Sequence, residues 1–159
     1  IVKELKPTQA TLVPDADGVL TSNAGWDTVK EEKYLSEVVA ELKSLGIRTS
    51  IFVDPVEKYI EGAAKVGTDR IELYTESYAQ LYSQDVQKAI EPYQKSAILA
   101  NKLGLGINAG HDLGLNNLKF FAQNIPQLLE VSIGHAIVCD ALYYGLENTV
   151  QLYLRELDI

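Results

Sequence analysis

Two stretches decide the fold of this chain, and each carries a Gly-His pair. Residues Gly106–Asp112 read GINAGHD, and Val131–Ala136 read VSIGHA. Each begins in a short predicted strand and leaves it through a glycine followed by one of the chain's two histidines. Polar groups at the carboxyl ends of consecutive strands are typical of a (β/α) barrel, which builds its active site there. The two pairs therefore predict a barrel with an anion-binding site at that end.

The rest of the chain repeats the alternation of strand and helix. Apolar periodicity predicts strands at 10–13, 48–53, 70–74, 104–108 and 129–133. It predicts helices at 27–45, 55–66, 85–103, 116–124, 136–144 and 146–157, and a polar loop after the third strand. Such alternation predicts parallel strands joined by crossover helices, which fits either an open doubly wound sheet or part of a barrel.

Length favours the partial barrel. A complete (β/α)8 barrel needs about 250 residues, whereas this chain has 159, begins at Ile1 and contains no methionine. We therefore expect an α/β fold in which residues 1–159 form a single domain. That domain would supply about five βα units, the C-terminal portion of a (β/α)8 TIM barrel whose N-terminal units are missing.

Composition excludes several classes of partner. The net charge of −8 argues against binding to nucleic acid or to an anionic membrane surface, since both need a basic protein face. No apolar run approaches the roughly 20 residues that cross a bilayer, so we expect a soluble, cytoplasmic protein. The single cysteine excludes an intrachain disulfide.

The histidines that follow the last two strands are the first candidates for chemistry. His111 could act as a general acid or base, because a free imidazole titrates near pH 6.5. Its alternative role is a loop histidine bonded to Asp112. Gly134 and His135 open a helix whose N–H groups and dipole could hold a phosphate. Their alternative roles are a glycine needed for tight packing and a helix-capping histidine.

Glu72 is the third candidate, because it lies between the apolar residues Ile71 and Leu73 and so points away from them. A carboxylate inside a barrel is costly unless it is paired. Glu72 could position a substrate group or orient a catalytic residue. It could instead form a salt bridge with Arg48 or Arg70.

Other cofactor sites have weaker support. A metal site can be drawn from His111, His135, Asp54 and Glu72, because imidazole and carboxylate bind many divalent ions, but no spacing singles it out. Neither a GxGxxG fingerprint nor a GxxxxGK(S/T) loop is present, which disfavours nicotinamide, flavin and nucleoside triphosphate as ligands.

Five motifs, in this order, carry a family resemblance. They are LVP at 12–14 leading to TSNAGWD at 21–27, FVDP at 52–55, IELYT at 71–75, NAGHDL at 108–113 and SIGHA at 132–136. Together they resemble the pyridoxine 5′-phosphate synthase family of vitamin B6 biosynthesis. The resemblance implies a (β/α)8 barrel that condenses 3-amino-2-oxopropyl phosphate with 1-deoxy-D-xylulose 5-phosphate. The products would be pyridoxine 5′-phosphate, phosphate and water, formed by a homo-oligomer without a metal or organic cofactor.

The resemblance also implies roles for individual residues. His111 matches the family's proton donor, and Glu72 matches a catalytic carboxylate that lines the site. Four positions match contacts to the phosphorylated substrates: Thr21 to the deoxyxylulose phosphate, and Asp112, Gly134 and His135 to the aminoketone phosphate. Some members have glycine at the position of Asp112, so its main chain is the expected contact.

One departure from the family bears on activity. The family's first three βα units, which hold a second essential histidine, a catalytic glutamate and a phosphate-binding arginine, are absent. We therefore expect the intact protein to be the enzyme and the isolated 159-residue chain to be inactive. Two alternatives stay open: another sugar-phosphate barrel enzyme, such as a metal-dependent epimerase or an aldolase, and a non-catalytic barrel fragment.

Overall fold

The computed structural model describes residues 1–14, 18 and 22–158. Its strands are β1 Gln9–Leu12, β2 Arg48–Val53, β3 Arg70–Tyr74, β4 Gly106–Gly110 and β5 Leu128–Ser132. Its helices are α1 Val2–Leu5, α2 Glu32–Ser44, α3 Glu57–Lys65, α4 Glu76–Tyr82, α5 Val86–Lys102, α6 Leu118–Asn124, α7 His135–Tyr144 and α8 Leu146–Leu157. None of these helices in the described part of the chain is long and apolar enough to cross a membrane.

The strands form one sheet in the order β1-β2-β3-β4-β5, and every neighbouring pair is parallel. A doubly wound sheet reverses its strand order at a switch point, and this sheet does not reverse. Strands that neighbour one another in chain order, each followed by a helix, are the arrangement of a (β/α) barrel. The α/β prediction and the partial-barrel architecture are therefore confirmed.

The core lies between the sheet and its helices. At every second position along β2, β3 and β4 an apolar side chain points toward the helices. Most of these side chains are inaccessible to solvent. This core joins Ile51, Ile71 and Ile107 of the strands to Ile90 of α5 and Phe121 of α6. Because side chains alternate between the two faces of a strand, the residues between these positions must face the inside of the barrel.

The inner face is polar, and one side chain from each strand contributes to a network across it. Arg48 of β2 and Arg70 of β3 both pair with Glu130 of β5, at 2.9 and 2.8 Å. Arg48 also donates to Gln9 Oε1 of β1 at 2.8 Å, and Arg70 donates to Asn108 Oδ1 of β4 at 3.0 Å. The network satisfies the two guanidinium groups, which would be costly to bury unpaired.

Two local predictions were wrong. The polar loop expected after β3 is the helix α4, whose Tyr78 is fully buried and donates a hydrogen bond to Asn117 O at 2.7 Å. The predicted helix at 27–45 begins at Glu32, because Asp27 Oδ1 accepts the N–H groups of Val29 and Lys30 in a turn that precedes it.

A close contact between α3 and the loop before α2 yields a stability test. Thr28 is fully buried and its hydroxyl donates to Tyr59 O at 2.7 Å. A Cβ on Gly62 of α3 would lie 2.2 Å from that hydroxyl oxygen. The missing side chain at Gly62 therefore makes room for Thr28.

We predict that Gly62→Ala destabilises the protein, although alanine usually favours a helix interior over glycine by about 1 kcal/mol. Displacing Thr28 should cost about 1–3 kcal/mol of the free energy of unfolding. Denaturant titration of the complete protein measures this free energy. The control is Glu61→Ala at the exposed neighbouring position, and its free energy of unfolding should change by no more than about 0.5 kcal/mol. A more stable Gly62→Ala protein would contradict the prediction.

Candidate active site

A cavity of about 430 Å³ opens beyond the carboxyl ends of β4 and β5. Four predicted site residues line it together: His111 and Asp112 from the loop after β4, and Gly134 and His135 from the start of α7. The parallel pairing of the two strands brings these loops to the same end of the sheet. Thr21, the remaining predicted substrate contact, lies outside the described residues.

Two neighbouring side chains lie close to the His111 ring. Its Nδ1 lies 3.2 Å from Asp112 Oδ2. The edge-to-face contact with Tyr74 places the ring centroids 4.9 Å apart at an angle of 89°, a preferred geometry for aromatic pairs. The imidazole is mostly buried yet lines the cavity, with 18% of its side chain exposed. An imidazole at the wall of a cavity can exchange a proton with a bound ligand.

The main chain at His111 adopts an uncommon conformation. The φ angle is 84° at His111 and 57° at Asp112, in the left-handed region that side chains with a Cβ rarely enter. Such residues cost about 1–3 kcal/mol each and occur where the surroundings enforce them. Two buried side chains bond to this segment. The single hydroxyl hydrogen of Thr75 is shared between Gly110 O, 2.8 Å from Oγ1, and His111 O, while Asn117 Nδ2 donates to Asp112 O at 3.2 Å.

Glu72 is 8% exposed, and it reaches the cavity through its hydrogen bond with the lining residue Ser132. Burial raises the pKa of its carboxyl, hydrogen bonds from Ser132 and Thr11 partly offset that rise, and the charge of Glu130 adds to it. The Thr11 hydroxyl donates to Oε2 at 3.3 Å. The salt bridge considered as its alternative role is not formed among the described residues, since Arg48 and Arg70 pair with Glu130 instead.

Gly110 connects Glu72 to the loop that carries His111. A Cβ on Gly110 would lie 2.4 Å from Glu72 Oε1 and 3.1 Å from Ser132 Cβ. A side chain at this position would therefore displace the carboxylate. Glu72 thus approaches the cavity through Gly110 and through Ser132, which itself lines the cavity.

Gly134 is the N-cap of α7, and packing does not account for it. Its φ is −99°, and a Cβ added there would meet nothing within 4 Å. Neither a left-handed backbone nor a close neighbour among the described residues requires glycine at this position. His135 is the first residue of α7 rather than its cap, and it is exposed. The start of α7 therefore offers open N–H groups and a helix dipole to an anion.

The metal arrangement drawn from the sequence is not formed. Within the described ranges, no group of three or more His, Cys, Asp or Glu side chains is placed to hold a metal ion. Asp54 in particular has a different partner, because its Oδ2 accepts the N–H of Gly25 at 3.0 Å. Asp54 lies just before α3, whose N-cap is Val56.

Sequence reasoning missed three contributors to the site. Ser132, Asn117 and Tyr74 each contact a candidate residue. Alternation along β5 could have placed Ser132 on the inner face, two residues from Glu130. Nothing in the local pattern indicates the other two contacts, because each spans two elements.

Comparison with known proteins places the chain in a family. Residues 1–158 match the family model described as "Pyridoxal phosphate biosynthesis protein PdxJ". The chain belongs to the PdxJ family. This membership confirms the family resemblance that the five motifs carry.

Individual relatives of the PdxJ chain are named pyridoxine 5′-phosphate synthase. The protein of Flavobacterium johnsoniae is 63% identical over 157 residues, which is 99% of this chain and 66% of the relative. That of Cytophaga hutchinsonii is 59% identical over 99% of this chain and 66% of the relative. That of Christiangramia forsetii is 60% identical over 98% of this chain and 65% of the relative. The chain thus spans slightly less than two thirds of the length of these relatives.

The buried Glu72 predicts a pH-dependent difference in stability. Its pKa in the folded protein is raised above the ordinary 4.5. Its contribution to stability is therefore fully present below that ordinary value and is lost as the pH rises through the raised one. Glutamine has no such loss. Glu72→Gln should gain stability relative to the unchanged protein as the pH rises.

Denaturant titrations of both proteins between about pH 4 and about pH 8 test this. Glu37→Gln, at an exposed position of α2, gives the baseline for removing one carboxylate. The test compares how much each variant differs from the unchanged protein in its free energy of unfolding. If that difference changes with pH no more for Glu72→Gln than for Glu37→Gln, the prediction is wrong.

Proposed function

We propose that the complete protein is a pyridoxine 5′-phosphate synthase. It condenses 3-amino-2-oxopropyl phosphate with 1-deoxy-D-xylulose 5-phosphate to give pyridoxine 5′-phosphate, phosphate and water. The observation that carries the proposal is the cavity at the ends of β4 and β5, which combines an imidazole with an open helix N-terminus. Relatives at 59–63% identity that bear this name add support.

The reaction needs proton transfers, and His111 and Glu72 can supply them. Amine addition to a ketone, dehydration, loss of phosphate and ring closure move protons without a net transfer of electrons. His111 acts as the proton donor, with its ring packed edge-to-face against Tyr74 and its Nδ1 3.2 Å from Asp112 Oδ2. Glu72 keeps a proton to higher pH than an exposed glutamate because its pKa is raised by burial, so it can exchange a proton with the intermediates. Neither role needs a metal or an organic cofactor.

The phosphate of the aminoketone occupies the start of α7. N–H groups of Gly134 and His135 donate to its oxygens, and the helix dipole favours its charge. The space beside Gly134, where a Cβ would meet nothing within 4 Å, leaves room for the phosphate. The main chain at Asp112, which lines the same cavity, adds a further contact. Thr21 contacts the phosphate of deoxyxylulose.

The remainder of the protein completes the barrel. Residues 1–159 form one domain, and three further βα units join β1 to β5, the two strands with one partner each in the described sheet. The exposure of Leu129, at 55%, and of the Glu130 side chain, at 45%, is consistent with a strand partner there. Those units supply the second histidine, the glutamate and the arginine that the family resemblance implies.

The enzyme works in the cytoplasm as a homo-oligomer. Helices α7 and α8 expose a set of large apolar side chains, and exposed apolar patches of this kind mark interaction surfaces. The most exposed of them are Val138, Leu142, Tyr143 and Leu146. Burial against another copy of the protein would remove them from water.

His111→Asn in the complete protein should lower kcat by about 10²–10⁴-fold, the usual contribution of a general acid. The KM values of both substrates should change little, because asparagine keeps the polar volume at the cavity wall. Steady-state formation of pyridoxine 5′-phosphate measures both constants. Glu37→Gln, at an exposed position on α2, is the control and should match the unchanged protein. A kcat within about threefold of the control would remove His111 from the proton-donor role.

A further inference from the structure

The helices that start beside the cavity make an unusual use of their N-cap residues. Thr75 is the N-cap of α4 and Asn117 is the N-cap of α6, yet neither side chain makes a capping hydrogen bond. Threonine and asparagine at this position normally accept an N–H from the first turn of their helix. Both side chains bond instead to the loop that follows β4.

Thr75 holds the loop from the β3 side. Its side chain is fully buried, and Gly110 O, at 2.8 Å, and His111 O share its single hydroxyl hydrogen. The backbone N–H of Thr75 also donates to Gly110 O at 3.0 Å. One residue therefore fixes the two carbonyls on either side of the His111 φ angle, where the chain turns into the left-handed region.

Asn117 holds the loop from the α6 side. It is 4% exposed, its Nδ2 donates to Asp112 O at 3.2 Å, and its Oδ1 accepts the N–H of Gly114 at 2.8 Å. Its own carbonyl accepts the Tyr78 hydroxyl at 2.7 Å, which anchors it to α4. The two left-handed residues therefore lie between two buried polar side chains from different helices.

We propose that Thr75 is a positioning residue for His111, with Asn117 as the second anchor of the same loop. Their bonds keep His111 and Asp112 left-handed, and this backbone conformation directs the imidazole into the cavity. The expected effect of Thr75 on kcat rests on the proposed synthase function. Its expected effect on the conformation of the loop is independent of that function.

Thr75→Val in the complete protein is the main test. Valine has nearly the same shape but lacks the hydroxyl, so the bond to His111 O is lost while the N–H bond to Gly110 O remains. Because a displacement of about 1 Å at a reacting group can cost about 10²-fold in rate, we expect kcat to fall about 10–100-fold. The KM values should change less than about threefold. Thr75→Ser restores the hydroxyl and should recover kcat to within about threefold.

Thr28→Val is the matched control. Thr28 is also fully buried and also donates its hydroxyl to a backbone carbonyl, that of Tyr59 at 2.7 Å. It should lower the unfolding midpoint about as much as Thr75→Val does, and leave kcat unchanged. Equal kcat values in the two valine variants, or a failure of Thr75→Ser to recover kcat, would overturn the proposal.

A second readout does not depend on turnover. The imidazole C–H signals of His111 in an NMR spectrum are assigned as those missing from His111→Asn. Thr75→Val should shift or broaden them, and Thr28→Val should not. Unchanged signals in Thr75→Val would overturn the positioning role. If the unchanged protein makes no pyridoxine 5′-phosphate, the proposed function fails, and the NMR comparison alone then decides the positioning role.

Discussion

The site depends on the parallel pairing of β3, β4 and β5, in which the register between β4 and β5 shifts between Ile107 and Asn108. Glu72 lies beside Asn108, and Gly110 lies beside Ser132. This register places the Glu72 carboxylate in the space that a side chain at position 110 would need. A Cβ added to Gly110 would lie 2.4 Å from Glu72 Oε1. Since parallel strands end at the same edge, the loops that follow β4 and β5 must meet there. The inner-face network between the two arginines and Glu130 helps to hold that register.

The fold gives up local stability to shape the loop that carries His111. Two left-handed residues and two helices without side-chain caps each cost free energy. Strain of this kind persists where tertiary contacts enforce it, and it is concentrated at functional sites. The contacts that enforce it here come from Thr75 and Asn117, the N-cap residues that precede α4 and α6. Site geometry and helix capping therefore compete for the same side chains.

Much of this could be predicted from the sequence, for identifiable reasons. The bounds of β2 and β3 were predicted correctly, because their apolar alternation is strong and turn residues flank them. That His111 and His135 line the same cavity could be predicted, because a (β/α) barrel builds its site at the carboxyl ends of its strands. Contacts between distant segments could not be predicted. Asp54, drawn into a metal site from the sequence, instead accepts the N–H of Gly25, and the arginines considered as partners of Glu72 pair with Glu130.

The most direct test of the account is turnover by the complete protein supplied with both phosphorylated substrates. We expect pyridoxine 5′-phosphate and inorganic phosphate in equal amounts, and neither when one substrate is omitted. Gly134→Ala, whose Cβ meets no protein atom within 4 Å, should raise the KM for the aminoketone phosphate by about tenfold or more, as expected for a weakened hydrogen bond to a charged group. No product from the correctly folded complete protein would contradict the account.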